Sequence, residues 1–214
     1  MRLRHYAAYD AQPGSRADLR EKLRRLFIFM LDHKRDMHEF HELVQRSTAF
    51  SLNALDEAQQ RTIDALQTSA ATTLVKTLQM VQLQKAISAV GMFSMFDAIL
   101  QNQLQCKDGF KEAGKILEIQ GEIELKESFS NFQLAVNVLK HGKGRSYNDL
   151  IEKAAILPFR VKLPDEYFFN EGDVSEISTL VEVDDAFVLQ CAEVIHAVSV
   201  AVGSSSLKKH QITD

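Results

Sequence analysis

Two stretches of this sequence carry residue types that can do chemistry. The first is Asp32-His33, Asp36, His38-Glu39 and His41-Glu42, dense in imidazole and carboxylate. His38 and His41 are three apart and share one face of a helix, with Glu42 alongside, which is a start on a metal site. Neither HExxH nor HxxEH is present, and no second cluster elsewhere offers the remaining ligands of a tetrahedral zinc. His38, His41 and Gln45 also fall away from the apolar stripe of their helix, where a solvated polar face belongs. The second stretch is Ala135-Val-Asn-Val-Leu-Lys-His-Gly-Lys-Gly-Arg-Ser146. Lys140, Lys143 and Arg145 place three cations within six residues of a helix end, and Gly142 and Gly144 let backbone amides come close to an anion. With Ser146 they form a candidate phosphate site. The P-loop spacing GxxxxGK[ST] is not met, and a helix C-terminus presents carbonyls, which repel phosphate. A glycine stop flanked by solvated lysines accounts for the segment equally well.

The second stretch, taken with Ala89-Val-Gly-Met-Phe-Ser-Met-Phe-Asp-Ala-Ile-Leu-Gln-Asn-Gln-Leu104, resembles the HEPN superfamily of helical bundles (higher eukaryotes and prokaryotes nucleotide-binding). In that superfamily an early helix carries an acid within an apolar run, and a later helix ends in RNxxxxH or a near relative. Asp97 is similar to the acid, Asn137 to the asparagine and His141 to the terminal histidine, over about Lys76 to Lys153. Val136 stands where RNase-active members carry arginine, and valine can neither hold a phosphate nor stabilise its developing charge. The resemblance therefore implies the fold and a nucleotide- or RNA-associated interaction module in a bacterial stress or phage-defence setting, without intact nuclease chemistry. It also implies a homodimer, and leaves room for a protein partner.

Two rivals stay open. A metal-independent ribonuclease would use His141 as base or phosphate ligand, with Asp97, Asn137 and a cation borrowed from Lys140, Arg145 or a second subunit. Asp97 interrupts an apolar run and calls for a partner if buried, or else lies on a helix surface or in a structural ion pair. The other rival is a metal-binding bundle using His38, His41 and Glu42. No cofactor is expected under the leading reading.

The elements that must hold these residues read as helices. Only 9 Gly and 3 Pro occur, too few for a sandwich or barrel that turns every eight to twelve residues or so. Apolar residues at 45% and charged residues at 25% are enough for a core and exclude a disordered chain. The fold class is mainly all-α: a helical bundle with a long N-terminal helix and a small extended or hairpin element over 158–173. Residues 1–14 read as an irregular lead-in, 15–203 as one helical domain and 204–214 as a flexible tail.

Ser15 precedes the first helix, whose stripe runs Leu19, Leu23, Leu26, Met30, His33, Met37, Phe40, Val44. A second helical region begins after Asn53 and reaches Cys106, with Thr68–Thr73 either a junction or a closely packed small-residue stretch. Lys107-Asp108-Gly109 breaks the chain with glycine in a turn. A short helix follows, then one striped by Leu125, Phe129, Phe132, Val136 and Leu139. Ser146 caps a brief helix, and Asp184-Asp185 opens a last one that Gly203 to Ser206 stops.

Two lone cysteines, Cys106 and Cys191, exclude a disulfide framework. With no signal-like apolar run near the start they point to a cytoplasmic chain. The most apolar stretch, Ala86 to Leu100, falls short of the roughly 20 residues a bilayer needs. A net charge of −4 excludes a broad electrostatic footprint for duplex nucleic acid and allows only a local basic patch.

Overall fold

The computed structural model describes residues 16–166, 168 and 177–208, with the side chains of 16–38 and 205–208 outside that description. The expected lead-in over 1–14 and the Ser15 cap lie outside the described residues. Within them the chain is an all-α bundle of six helices: α1 (Arg16–Leu66), α2 (Thr72–Leu104), α3 (Gly109–Gln120), α4 (Ile123–His141), α5 (Arg145–Glu152) and α6 (Asp185–Lys208).

Helix α1 is 51 residues long and passes Asn53 without a break, so the boundary expected there is wrong. The apolar rhythm pauses at Thr48, which reads as polar. Yet Phe40, Val44, Thr48 and Leu52 are all buried in steps of four, and the stripe continues through a buried hydroxyl. The chain turns instead over 67–71, which settles Thr68–Thr73 as a junction.

α2 and α6 run side by side, both antiparallel to α1. Lys85 of α2 meets Asp185 at the start of α6, and eleven residues further along each, Phe96 stacks on Phe40 while His196 meets the adjacent His41. Lys85 is buried, its Nζ 2.7 Å from Asp185 Oδ1, a close ionic contact off the direction of a hydrogen bond. Asp184 caps α6, its Oδ1 accepting the Phe187 N–H at 2.7 Å. The helix then runs through Gly203 to Lys208, past the expected stop. One glycine inside a helix costs only about 1 kcal/mol, and burial of Val198 and Val202 outweighs it. Residues 209–214 of the expected tail lie outside the described residues.

The core has two aromatic knots. Phe93 and Phe96 of α2, Phe110 of α3 and Phe129 of α4 pack with ring centroids 5.2 to 6.3 Å apart. Phe132 of α4, Phe159 and Phe187 of α6 form the other, at 5.0 to 5.5 Å. The predicted stripe of α4 is thus the inward face, with Phe129, Phe132 and Val136 buried.

Gly109 is not a turn residue: it opens α3 behind the Asp108 cap, and the left-handed residue before it is Gln105. Its role is close approach, since a methyl group there would lie 2.7 Å from both the Asp97 carbonyl oxygen and the Leu100 Cβ.

Among the described residues, the extended element expected over 158–173 finds its pairing partner beyond that range. Val161 pairs antiparallel with Val181, through Lys162 N–H to Leu180 O and Glu182 N–H to Arg160 O. The partner was hidden because 180–183 lies beyond the aromatic run that suggested a hairpin. Residues 167 and 169–176 lie outside the described residues.

Two helices, Thr72–Leu104 and Asp185–Ser204, are long and apolar enough to cross a membrane by length and composition. The apolar stretch expected to end at Ala86–Leu100 therefore belongs to a longer helix. Half of the α6 window and a third of the α2 window are buried within the bundle.

Candidate functional site

The end of α4 and the start of α5 make one exposed basic turn. Gly142 takes the left-handed region, φ +72°, and its N–H donates to Val138 O at 2.8 Å, closing α4 after His141. Val136 and Val138 are buried, Asn137 is half-buried, and Lys140 and His141, in the last turn of α4, are exposed. Lys143, Gly144 and Arg145 are also exposed. Among the described residues Lys140, His141 and Lys143 make no hydrogen bond or ion pair, and Arg145, 96% exposed, reaches only Asp149 at 4.0 Å.

Sequence reasoning missed the other half of this turn. Ser146 does not cap α5; it lies inside the helix, which starts at Arg145 behind an extended Gly144, and no side chain caps that end. Serine one place too late cannot reach back to the first amides, and glycine has no side chain to offer. The opening N–H groups of α5 therefore have no side-chain cap and lie beside three cations, whereas the sequence suggested only the repelling carbonyls of α4. Tyr147 holds α5 in place, its hydroxyl donating to Lys162 O at 2.6 Å. The glycine directly before an amphipathic run was the available signal.

The proposed nuclease constellation is not gathered. Asp97 is half-buried against α3: its Oδ2 accepts from Gln101 Nε2 at 2.7 Å, and its Oδ1 is buried without a hydrogen-bond partner beside Gly109. No contact joins it to His141, Lys140 or Arg145 among the described residues. The next residue back, Phe96, lies on Phe129, and His141 follows Phe129 by three turns of α4, about 18 Å along the helix. Val136 is 4% exposed in the core.

The histidine stretch is rearranged as well. Glu42 is exposed and paired with Arg46 at 2.6 Å, and the side chain of His38 lies outside the described residues. His41 instead meets His196 of α6, Nδ1 to Nδ1 at 3.0 Å with the rings edge-on. No group of three or more potential metal ligands is assembled among the described residues. His196 was missed because 155 residues of sequence separate it from His41.

A cleft of about 320 Å³ is lined by Pro158, Phe159, Arg160, Glu182 and Phe187. Arg160 is committed there to Glu166 and Glu182, and the guanidinium holds the Glu166 carboxyl below the usual carboxylate range. That cleft offers no free cation. No family model, no curated protein and no solved structure matches this chain.

Proposed function

We propose that this chain is a HEPN-like helical interaction module whose basic turn, Lys140 to Arg145, binds the phosphates of a nucleotide or RNA without cleaving them. One observation carries the reading: three exposed cations, two of them without any internal counter-ion, flank the uncapped start of a helix. An anion there meets uncapped amides and mobile positive charge together. Absence of nuclease chemistry rests on Val136 in the core and on Asp97 turned toward α3. His141 then acts as a donor to phosphate rather than as one half of an acid-base pair.

A homodimer fits the same module. Between α1 and α2 runs an open groove of about 340 Å³ lined by buried Phe40, Val44 and Leu52 and by Leu43 and Met95, 63% and 60% exposed. An open apolar groove of this kind suits a second helix.

The test is anisotropy of a labelled single-stranded RNA titrated with protein in EDTA. Binding should weaken as salt rises, and Lys140→Gln/Lys143→Gln/Arg145→Gln should reduce affinity at least about tenfold while the RNA stays intact. Cleavage that disappears in His141→Ala would replace this reading with a ribonuclease.

A further inference from the structure

We propose that His41 and His196 form a binding site for a divalent transition metal of the zinc, nickel or copper type, clamping α1 to α6. The site is separate from the basic turn and independent of what that turn binds.

The geometry is that of two ring nitrogens converging on one point between α1 and α6. The Nδ1 atoms are 3.0 Å apart and the ring centroids 4.5 Å, with the planes at 79°. A neutral imidazole carries one N–H, so two facing nitrogens must share either a proton or a cation. A straight hydrogen bond between them would set the centroids about 5.3 Å apart. An ion about 2.0 to 2.1 Å from each nitrogen would subtend roughly 91 to 97° at the metal and bring the centroids to about 4.7 Å. The observed 4.5 Å is on the convergent side. That angle already matches adjacent positions of a square-planar or octahedral ion, and an opening of a few tenths of an ångström gives the tetrahedral angle of zinc.

The surroundings suit the same cargo. Both rings are half-buried, so they are held by packing and still reached from solvent. Glu193 stands three residues before His196 on α6, exposed and on the same side of the helix. Glu-x-x-His on one helix facing a histidine on another is how helical bundles assemble metal sites from facing helices. Imidazole selects zinc, copper and nickel over magnesium or calcium, which fixes the ligand class. Glu42, the acid that the sequence set beside His41, is turned to Arg46 and has no part.

The experiment uses the full chain without an affinity tag, stripped with EDTA, and follows thermal melting with Zn²⁺, Ni²⁺ or Mg²⁺ added, together with Cu²⁺ paramagnetic resonance. Zinc and nickel should raise Tm by several degrees, since a metal bound only by the folded state adds to its stability. Magnesium should not. Copper should show hyperfine coupling to two nitrogens. His41→Gln and His196→Gln, each compared with its own metal-free Tm, should lose the shift and reduce the coupling to one nitrogen or none. Glu42→Gln should retain both. No metal-dependent shift in the parent chain overturns the proposal, as does a shift of equal size in His196→Gln or a loss of equal size in Glu42→Gln.

Discussion

Replacing Phe132 by alanine tests the packing on which every other statement depends. The ring is 1% exposed and touches Phe159 at 5.0 Å and Phe187 at 5.5 Å, which also touch each other at 5.2 Å. Its loss removes transfer free energy and leaves a cavity bounded by two rings from different parts of the chain. Such truncations cost about 3 to 5 kcal/mol. Collapse is restrained here because Phe159 is tied to the Val161–Val181 pairing and Phe187 to the Asp184 cap, which favours the upper part of that range. For a chain of this length the cost corresponds to a fall in Tm of roughly 6 to 20 °C. Urea unfolding by far-UV circular dichroism gives the free energy, with an unchanged m-value expected. Phe50→Ala, on a ring 77% exposed, is the control and should stay within about 0.5 kcal/mol. A Phe132→Ala loss below about 1 kcal/mol would refute the inward face assigned to α4.

Two further outcomes follow from burial. Introducing an arginine at this core position with Val136→Arg should destabilise by about 3 kcal/mol or more, because it buries a charge among apolar side chains, and should confer no cleavage of RNA; gained cleavage at unchanged Tm would contradict the placement of Val136. Burial pushes the Cys191 thiol up, so a thiol reagent at neutral pH should label Cys106, which is half-buried, and spare Cys191 until the chain unfolds. Since the folded thiol keeps its proton where the unfolded one loses it, the Cys191 contribution is complete below the ordinary thiol pKa and declines above it, by at most about 1.4 kcal/mol per pH unit. Labelling of two thiols in the native state would refute this.

What could be read in advance follows from range. Helix α4 was legible because its stripe, Leu125 to Leu139, and its glycine stop are local signals that nothing distant contradicts. Asp184 was legible as a cap for the same reason. Where the reading failed, a second element decided. Thr48 and Lys85 are buried because other helices cover them or supply Asp185, and their residue types point outward. Val181 is paired with a segment twenty residues away, and Gly109 is small for the sake of α2 rather than for a turn. The candidate site divides the same way. Lys140, Lys143 and Arg145 are close in sequence and close in space, whereas Asp97 and His141 shared only an order along the chain.

The same division bears on what the basic turn can recognise. The carbonyl end of α4 and the uncapped amide end of α5 meet there, so the amides of α5 offset part of the repulsion that the carbonyls of α4 exert on an anion. The side chains of Lys140, Lys143 and Arg145 then set the sign of the local field, against a chain whose net charge is −4. Attraction from so few exposed cations is short-ranged, falling off over about 8 to 10 Å at physiological salt. A stretch of duplex would also approach the acidic remainder of the surface and be repelled by it, whereas two or three adjacent phosphates of a nucleotide or a single strand fit within the reach of the turn. On the proposed reading, selectivity for such compact anions would come from the small extent of the patch, and a broader basic surface would forfeit it.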